Sequence, residues 1–195
     1  KRSLKSALLQ LLSFKDTDNK IENVIVDSFS KATNMTDKMS ALQAAQNFSL
    51  DLLETLLEQL YSEFKGQALV FDKMSQLVAM SKDDGVYELM KKWSERPEFD
   101  RKNPNRMRSL YGAFVMRNPQ QFHHVSGKGY AFLEKLLIEI DAMNPQLAAR
   151  LIDPLLAFKR YEPQRSQLML ETLESLSKMK LSKDLYEKVQ AAINR

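Results

Sequence analysis

The chain of 195 residues contains no cysteine, and it has only five glycines and six prolines. The absence of cysteine excludes disulfides and catalytic thiolates. Such a low content of glycine and proline argues against a fold of strands and tight turns, which depends on those residues. No apolar run approaches the roughly 18 residues that a membrane-spanning helix requires. The sequence therefore predicts a helical protein without disulfides, and we expect no membrane partner.

Charged residues of both signs are mixed along the whole chain. Lysine and arginine together number 29, aspartate and glutamate number 25, and the formal net charge is +4. A nucleic-acid-binding protein usually gathers its basic residues on one face, with aromatic residues among them. We therefore expect no nucleic-acid partner. A basic nucleic-acid-binding helical domain stays open as a weaker alternative, which a steep salt dependence of binding would support.

Apolar residues recur at helical spacing through nearly every segment of the sequence. Leu147, Leu151 and Leu155, for example, lie four positions apart along one predicted helix face. The polar connections between such stripes are short, so consecutive helices are expected to pack antiparallel. No fixed-period repeat is visible. We predict an all-α fold, an irregular α-solenoid-like stack of antiparallel helix pairs, in which residues 1–195 form a single helical unit.

The residue types that usually carry catalysis are sparse. The only two histidines, His123 and His124, are adjacent, and no His-Glu-x-x-His pattern occurs, so we predict no metal site and place the pair in a loop or at a helix end. The stretch SGKGYAF, residues 126–132, imitates a phosphate-binding loop, but no strand precedes it and its glycines are expected to shape a turn into a helix. Neither a nucleophile motif nor an acid–base pair is present. We predict no catalytic residue and no cofactor in this chain.

The segment NPQLAARLIDPLLAFKRY, residues 144–161, combines a core-forming helix face with unusual polar positions. Asn144 is predicted to cap a helix whose first turn holds Pro145, where the missing N–H costs nothing. Pro154 removes a hydrogen bond and crowds the preceding turn, so the helix must kink or restart there. Asp153 is then predicted to cap the second helix.

Gln146, Arg150 and Asp153 form one polar row beside the leucine face, because they occupy positions i, i+4 and i+7 of a helix. Two interpretations fit this spacing. The row holds an ordinary surface ion pair between Arg150 and Asp153, worth under about 1 kcal/mol. Alternatively, the row faces a polar ligand.

Five ordered stretches of the second half resemble one known family. They are NPNRMRSLYGAF, GYAFLEKLL, NPQLAARLIDPL, KRYEPQRSQLM and LSKDLYEKV. Together they resemble the C-terminal end of the bacterial aminopeptidase N family, whose members are zinc metallopeptidases of the gluzincin type. The first residues already form an amphipathic stripe, and no signal peptide opens the chain. We therefore expect residues 1–195 to be the later part of a larger C-terminal helical domain, from a cytoplasmic protein.

The resemblance implies where the chemistry would lie. In that family the zinc-binding His-Glu-x-x-His and the Gly-x-Met-Glu-Asn motifs belong to an upstream catalytic domain, and neither motif is present here. The helical domain closes over the active site and borders the cavity that holds the peptide substrate. Carried over to this chain, the cavity-facing residues are Arg108, Gln146 and Arg150. Ser126 departs from the family pattern, in which an acidic residue precedes the first glycine of that loop.

The resemblance also implies which molecules the chain would contact. The chain would contact its own upstream catalytic domain and peptide substrates, and by itself it would be inactive. The alternative from another class is a stand-alone α-solenoid adaptor that binds a partner protein along a concave face. A His-Glu-x-x-His motif upstream in the same reading frame would exclude the adaptor.

Overall fold

The computed structural model describes residues 2–15 and 19–194. Every regular element within these residues is helical, which confirms the predicted all-α fold. The α-helices, numbered α1 to α14 in chain order, are Arg2–Lys15, Asn19–Ser30, Met35–Phe48, Leu50–Glu63, Ala68–Ala79, Val86–Ser94, Pro104–Met107, Ala113–Arg117, Pro119–Phe122, Lys128–Asp141, Pro145–Leu151, Asp153–Leu156, Pro163–Ser177 and Lys183–Ile193. A π-helical turn, Arg108–Gly112, joins α7 to α8, and a 3-10 turn, Phe158–Arg160, follows α12.

The chain divides into two compact units, residues 1–99 and 100–195. That residues 1–195 form a single helical unit therefore stays a prediction. Within the first unit α3 packs against α1, α2, α4 and α5, and α5 packs against α6. The apolar stripe of α4 is buried along its whole length, with Leu53 and Leu60 fully enclosed. Helix α3 thus lies at the centre of the first unit, beside the leucine-rich face of α4.

Trp93 links α5 and α6 in the interior of the first unit. Its side chain is buried, and its Nε1 donates a 2.9 Å hydrogen bond to the hydroxyl of Ser75. That hydroxyl in turn donates to the backbone carbonyl of Phe71, whose ring stacks on the indole with centroids 5.3 Å apart. The one polar atom of the indole is therefore satisfied within an apolar core, as buried polar groups require.

Helix α10 is central to the second unit and packs against α9, α11 and α13. Its start depends on two glycines, as the sequence predicted. Gly127 precedes the helix with a φ of 71°, and Gly129 lies so close to the end of α9 that a Cβ there would meet the carbonyl oxygen of Phe122 at 2.2 Å. A φ in this range suits glycine because a Cβ would be strained there. The turn brings α9 and α10 into close contact.

Asparagine followed by proline opens three helices of the second unit. Asn103, Asn118 and Asn144 precede α7, α9 and α11, and each side chain accepts a hydrogen bond from a backbone N–H in the first turn. Proline at the next position loses no hydrogen bond, because the first N–H groups of a helix lack internal partners. In the first unit the cap of α3 is Asn34, whose side chain accepts a hydrogen bond from the backbone N–H of Asp37.

Candidate functional site

Helix α11 has one buried apolar face and one exposed polar side. Leu147, Ala148 and Leu151 are buried, whereas Gln146 and Arg150 are exposed. These two lie four residues apart, so they project from the same side, one turn apart. Asn144 fixes where the helix begins, since its Oδ1 accepts a 3.0 Å hydrogen bond from the backbone N–H of Leu147. The amide of Gln146 and the guanidinium of Arg150 thus project to solvent from a helix whose other face is packed in the interior.

Asp153 does not cap a helix, and this prediction was wrong. Helix α12 begins with Asp153 itself, and the preceding Ile152 has helical torsion angles of φ −72° and ψ −20°. A side-chain cap requires an extended residue before the helix, which this continuous backbone does not provide. The carboxylate instead accepts a 2.6 Å hydrogen bond from Nζ of Lys188. Asp153 therefore pairs with Lys188 of α14. It does not form the surface pair with Arg150 that the spacing allowed.

Lys188 holds the junction between α11 and α12. Its ammonium group donates to the backbone carbonyl of Ala149 at 2.5 Å as well as to Asp153. Pro154 has no N–H, so the helix cannot continue its hydrogen-bond ladder at this position. A cation at the end of a helix satisfies free carbonyls and interacts well with the helix dipole. Lys188 of α14 thus stabilises the helix break that Pro154 imposes.

Arg108 begins the π-helical turn and is exposed. The N–H of Ala113 donates to the carbonyl of Arg108, five residues earlier, and to that of Leu110, three residues earlier. Gly112, at the end of the turn, lies next to α11, since a Cβ there would be in ordinary contact with Cδ2 of Leu151, at 3.7 Å. The structure therefore brings the helical segment of Arg108 against the helix that carries Arg150. Single π-turns within helices are frequent at functional sites.

The two exposed arginines have no acidic partner within the described part of the chain. Neither Arg108 nor Arg150 takes part in an ion pair or a side-chain hydrogen bond there, and the same is true of Gln146. A guanidinium carries five N–H donors in a rigid planar fork, which matches carboxylate and carbonyl oxygens. Both arginines can therefore bind an external acceptor without first breaking an internal bond.

His123 is held in a structural cluster that sequence reasoning missed. Its Nδ1 lies 3.0 Å from the hydroxyl of Tyr130, its Nε2 lies 2.9 Å from the hydroxyl of Tyr161, and its ring stacks on Tyr161. Burial lowers the pKa of His123, and the charge of Arg165 lowers it further. Both ring nitrogens are occupied by tyrosines, and none of the described residues form a group of three metal-ligand side chains. Tyr161 is 38 residues away, so no local sequence signal reveals this contact.

The described part of the chain is thus an all-helical domain with an exposed polar row on α11. The family model described as "Domain of unknown function (DUF3458_C) ARM repeats" matches residues 1–194, and the chain belongs to this family. No helix in the described part of the chain combines the length and the hydropathy needed to cross a bilayer.

Bacterial aminopeptidases contain the same domain. Aminopeptidase N of Haemophilus influenzae is 40% identical over 193 residues, which cover 98% of this chain and 22% of that protein. Aminopeptidase N of Escherichia coli is 40% identical over 195 residues, with 99% and 22% covered, and that of Caulobacter vibrioides is 33% identical over 196 residues, with 99% and 22% covered. The crystal structure of Legionella pneumophila aminopeptidase A in complex with aspartic acid matches with a TM-score of 0.91 and 27% identity, over 99% of this chain and 23% of that one.

These matches confirm the resemblance inferred from the sequence. The chain is homologous to the C-terminal helical domain of bacterial aminopeptidases, and it spans about 22% of the length of the curated relatives. Because the likeness extends over nearly the whole chain at 33–40% identity, it does not rest on a short motif.

Proposed function

We propose that this chain is part of a zinc aminopeptidase, called here the parent enzyme, that removes N-terminal residues from peptides. The helical domain closes the active-site cavity and helps to admit and bind the substrate, while an upstream catalytic domain performs the hydrolysis. The observation that carries this proposal is the 40% identity with two aminopeptidase N proteins over 98–99% of the chain. The family resemblance also supports a cytoplasmic location.

Three side chains are proposed to line the substrate cavity: Arg108, Gln146 and Arg150. All three are exposed, two share one side of α11, and Arg108 begins the turn that packs beside that helix. A peptide substrate offers backbone carbonyls and a C-terminal carboxylate, which are the acceptors that a guanidinium binds best. Caps and packed leucines fix the helix backbone that carries these side chains, so only the side chains themselves have to be ordered when the substrate binds.

The described residues offer no site that fits zinc, since none of their His, Cys, Asp or Glu side chains form a group of three. We propose that the ion belongs to the catalytic domain, where zinc would activate the attacking water. The contribution of this chain is binding and enclosure. Excluding water from a closed cavity strengthens the electrostatic contacts inside it.

Replacing Arg150 by alanine in the parent enzyme tests the proposed role. If the guanidinium binds distal carbonyls or the C-terminal carboxylate, kcat/KM on a tetrapeptide should fall about ten- to a hundredfold, because a charge-assisted hydrogen bond contributes roughly 1.5–3 kcal/mol. An amino-acid anilide lacks those acceptors, so its kcat/KM should change little. The thermal melt should also stay unchanged, since Arg150 is exposed and has no partner among the described residues.

Arg117→Ala is the matched control, because Arg117 is an exposed arginine at the end of α8 and is not one of the proposed cavity residues. It should leave both substrates unaffected. Equal, small changes on the tetrapeptide and the anilide with Arg150→Ala would contradict the cavity-facing role. Loss of activity on both substrates together with a lower melting temperature would instead indicate a structural role.

A further inference from the structure

A pocket of about 370 Å³ lies in the second unit, between the 3-10 turn Phe158–Arg160 and the second half of α14. Its apolar lining consists of Leu156, the buried Phe158 and the two alanines of α14, Ala191 and Ala192. The short alanine side chains leave space that larger residues would fill. Ligand sites enclose roughly 300–1,000 Å³, so this pocket suits a group about the size of one amino-acid residue.

Basic side chains complete the lining of this pocket. They are Lys159, Arg160 and Lys188, and no acidic side chain of the described residues lies among them. Asp153 offsets the charge of Lys188, at 2.6 Å, and Glu162 is already paired with an arginine of α13. Neither Lys159 nor Arg160 forms an ion pair in the described part of the chain. Two uncompensated cations in a concave site favour an anionic ligand.

The helix ends around the pocket limit the charge of that anion. Leu156 and Ala157 lie at the end of α12, and Ala191 and Ala192 belong to the last turn of α14. Carbonyl groups at the C-terminal end of a helix carry partial negative charge, whereas phosphate sites usually use the N–H groups of a helix N-terminus. A doubly charged phosphate is therefore disfavoured. A single carboxylate suits the guanidinium of Arg160, which can donate two parallel hydrogen bonds to it.

The apolar lining selects further among carboxylates. Nζ of Lys159 lies 5.6 Å from the centre of the Phe158 ring, so a carboxylate bound to Lys159 places its attached apolar group close to that ring. A free amino acid carries an ammonium group beside its carboxylate, and the cations of the lining would repel it. An acylated or deaminated compound has no such charge. The pocket thus fits an apolar carboxylate and rejects a free amino acid.

We propose that this pocket binds a monocarboxylate that has an apolar group of one-residue size and no neighbouring ammonium. Lys159 and Arg160 hold the carboxylate, and Phe158 and the two alanines contact the apolar group. Two sources have this chemistry, the C-terminal residue of a peptide and a free branched-chain carboxylic acid. The three residues proposed to line the substrate cavity are not part of this pocket, and the proposal does not depend on the proposed function.

Photolabelling of the full-length protein that contains this chain tests the proposal. The probe is N-acetyl-photoleucine, an acylated leucine with a diazirine in its side chain. Irradiation releases nitrogen, the resulting carbene inserts into a nearby bond, and mass spectrometry of the digest locates the label. We expect label within residues 156–160 or 188–192. The corresponding amide should label these residues at least about tenfold less, because it loses the charge-assisted hydrogen bonds of the carboxylate.

Two variants separate the charge of the pocket from its space. Arg160→Gln should lower the labelling by about tenfold or more, since it removes the guanidinium. Arg117→Gln is the matched control, because Arg117 is an exposed arginine of α8 outside the pocket, and it should label normally. Ala192→Leu fills the pocket and should also reduce labelling. If Ala192→Leu fails to fold, Arg160→Gln still decides, because Arg160 is exposed and has no acidic partner among the described residues.

Unlabelled competitors distinguish the two sources. Stronger competition by N-acetyl-leucine indicates the C-terminal residue of a peptide, and stronger competition by 4-methylpentanoate indicates a free acid. Label found only outside residues 156–160 and 188–192 would overturn the proposal. Equal labelling by the acid and the amide would overturn it as well, because the carboxylate would then not be recognised. Equal loss in the Arg160 and Arg117 variants, or competition by free leucine as strong as that by N-acetyl-leucine, would likewise refute it.

Discussion

Gly129→Ala should be among the most damaging small substitutions in this chain. Gly129 lies in the first turn of α10, where a Cβ would come within 2.2 Å of the carbonyl oxygen of Phe122 and within 2.7 Å of its Cα. Both contacts are with backbone atoms, which cannot rotate away as a flexible side chain can. One added methyl group must therefore separate α9 from α10.

The magnitude follows from the packing around that contact. A carbon and an oxygen atom that are not bonded need roughly 3 Å or more, so the helices must part by about 1 Å, and a gap of that size forfeits a quarter to a half of each dispersion contact. The contacts at risk involve Phe122 and Tyr130, which are 0% and 1% exposed and whose ring centroids lie 5.5 Å apart. Overpacking usually costs about 1–3 kcal/mol. Rigid backbone on both sides places this case at about 3 kcal/mol or more.

Urea denaturation followed by circular dichroism measures the effect as a shift in the midpoint at constant slope. Gly112→Ala is the matched control. A Cβ at position 112 would lie 3.5 Å from Cβ of Arg108 and 3.7 Å from Cδ2 of Leu151, which is ordinary contact. Alanine there should be neutral or should stabilise by up to about 1 kcal/mol through helix propensity. A loss below about 1 kcal/mol for Gly129→Ala, or equal losses for both variants, would refute the steric reasoning.

Three further substitutions have defined outcomes. Asn144→Ala removes the cap of α11 and should lower the free energy of unfolding by about 1 kcal/mol in a urea titration. Ser75→Ala leaves the buried indole N–H of Trp93 without its acceptor and should cost about 1–3 kcal/mol in the same assay. Burial lowers the pKa of His123 below its ordinary value of 6.5, so the unfolded chain takes up a proton more readily. Stability should therefore fall as pH drops below about 6.5, and His123→Gln should remove this contribution, measured against His124→Gln in melts from pH 7.5 to 5.

Each of these outcomes has a contrary result. An Asn144→Ala variant as stable as the native chain would mean that solvent caps α11 equally well. An unchanged midpoint for Ser75→Ala would mean that water reaches the indole of Trp93. A pH dependence that is the same in the His123 variant and the native chain would assign the acid sensitivity to other groups.

The helical fold was predictable because each helix has its own apolar stripe. A stripe of period 3.6 depends only on residues within one element, so it can be read without knowledge of tertiary contacts. Helix starts were less predictable. The stretch TNMTD offers several residues that could cap a helix, and only the backbone geometry shows that Asn34 is the cap of α3. Asp153 before a proline looks like a cap in the sequence, but Ile152 stays helical and removes the need for one.

The candidate site was predictable in part. The spacing of Gln146 and Arg150 places them on one side of α11, and both are exposed in the structure. The proposal that they line a substrate cavity together with Arg108 rests on the family resemblance, since spacing alone also allowed a surface ion pair. The contact of Lys188 with Asp153 joins residues 35 positions apart. Pairings of this length depend on how helices pack, and no periodicity within one helix encodes them.

Under the proposed role of Arg108 in binding substrate, the π-helical turn at Arg108–Gly112 makes the length of this segment a determinant of recognition. In an α-helix each residue advances about 100°, so one residue more or less before a fixed point swings every earlier side chain by that angle. Removing a single residue between Arg108 and Gly112 would restore regular winding and rotate the side chain of Arg108 by about 100° about the helix axis. A relative with an arginine at the aligned column but a one-residue gap nearby would therefore lack an equivalent group in space. When homologues are compared for substrate contacts, the gap pattern of this segment should be weighed together with residue identity.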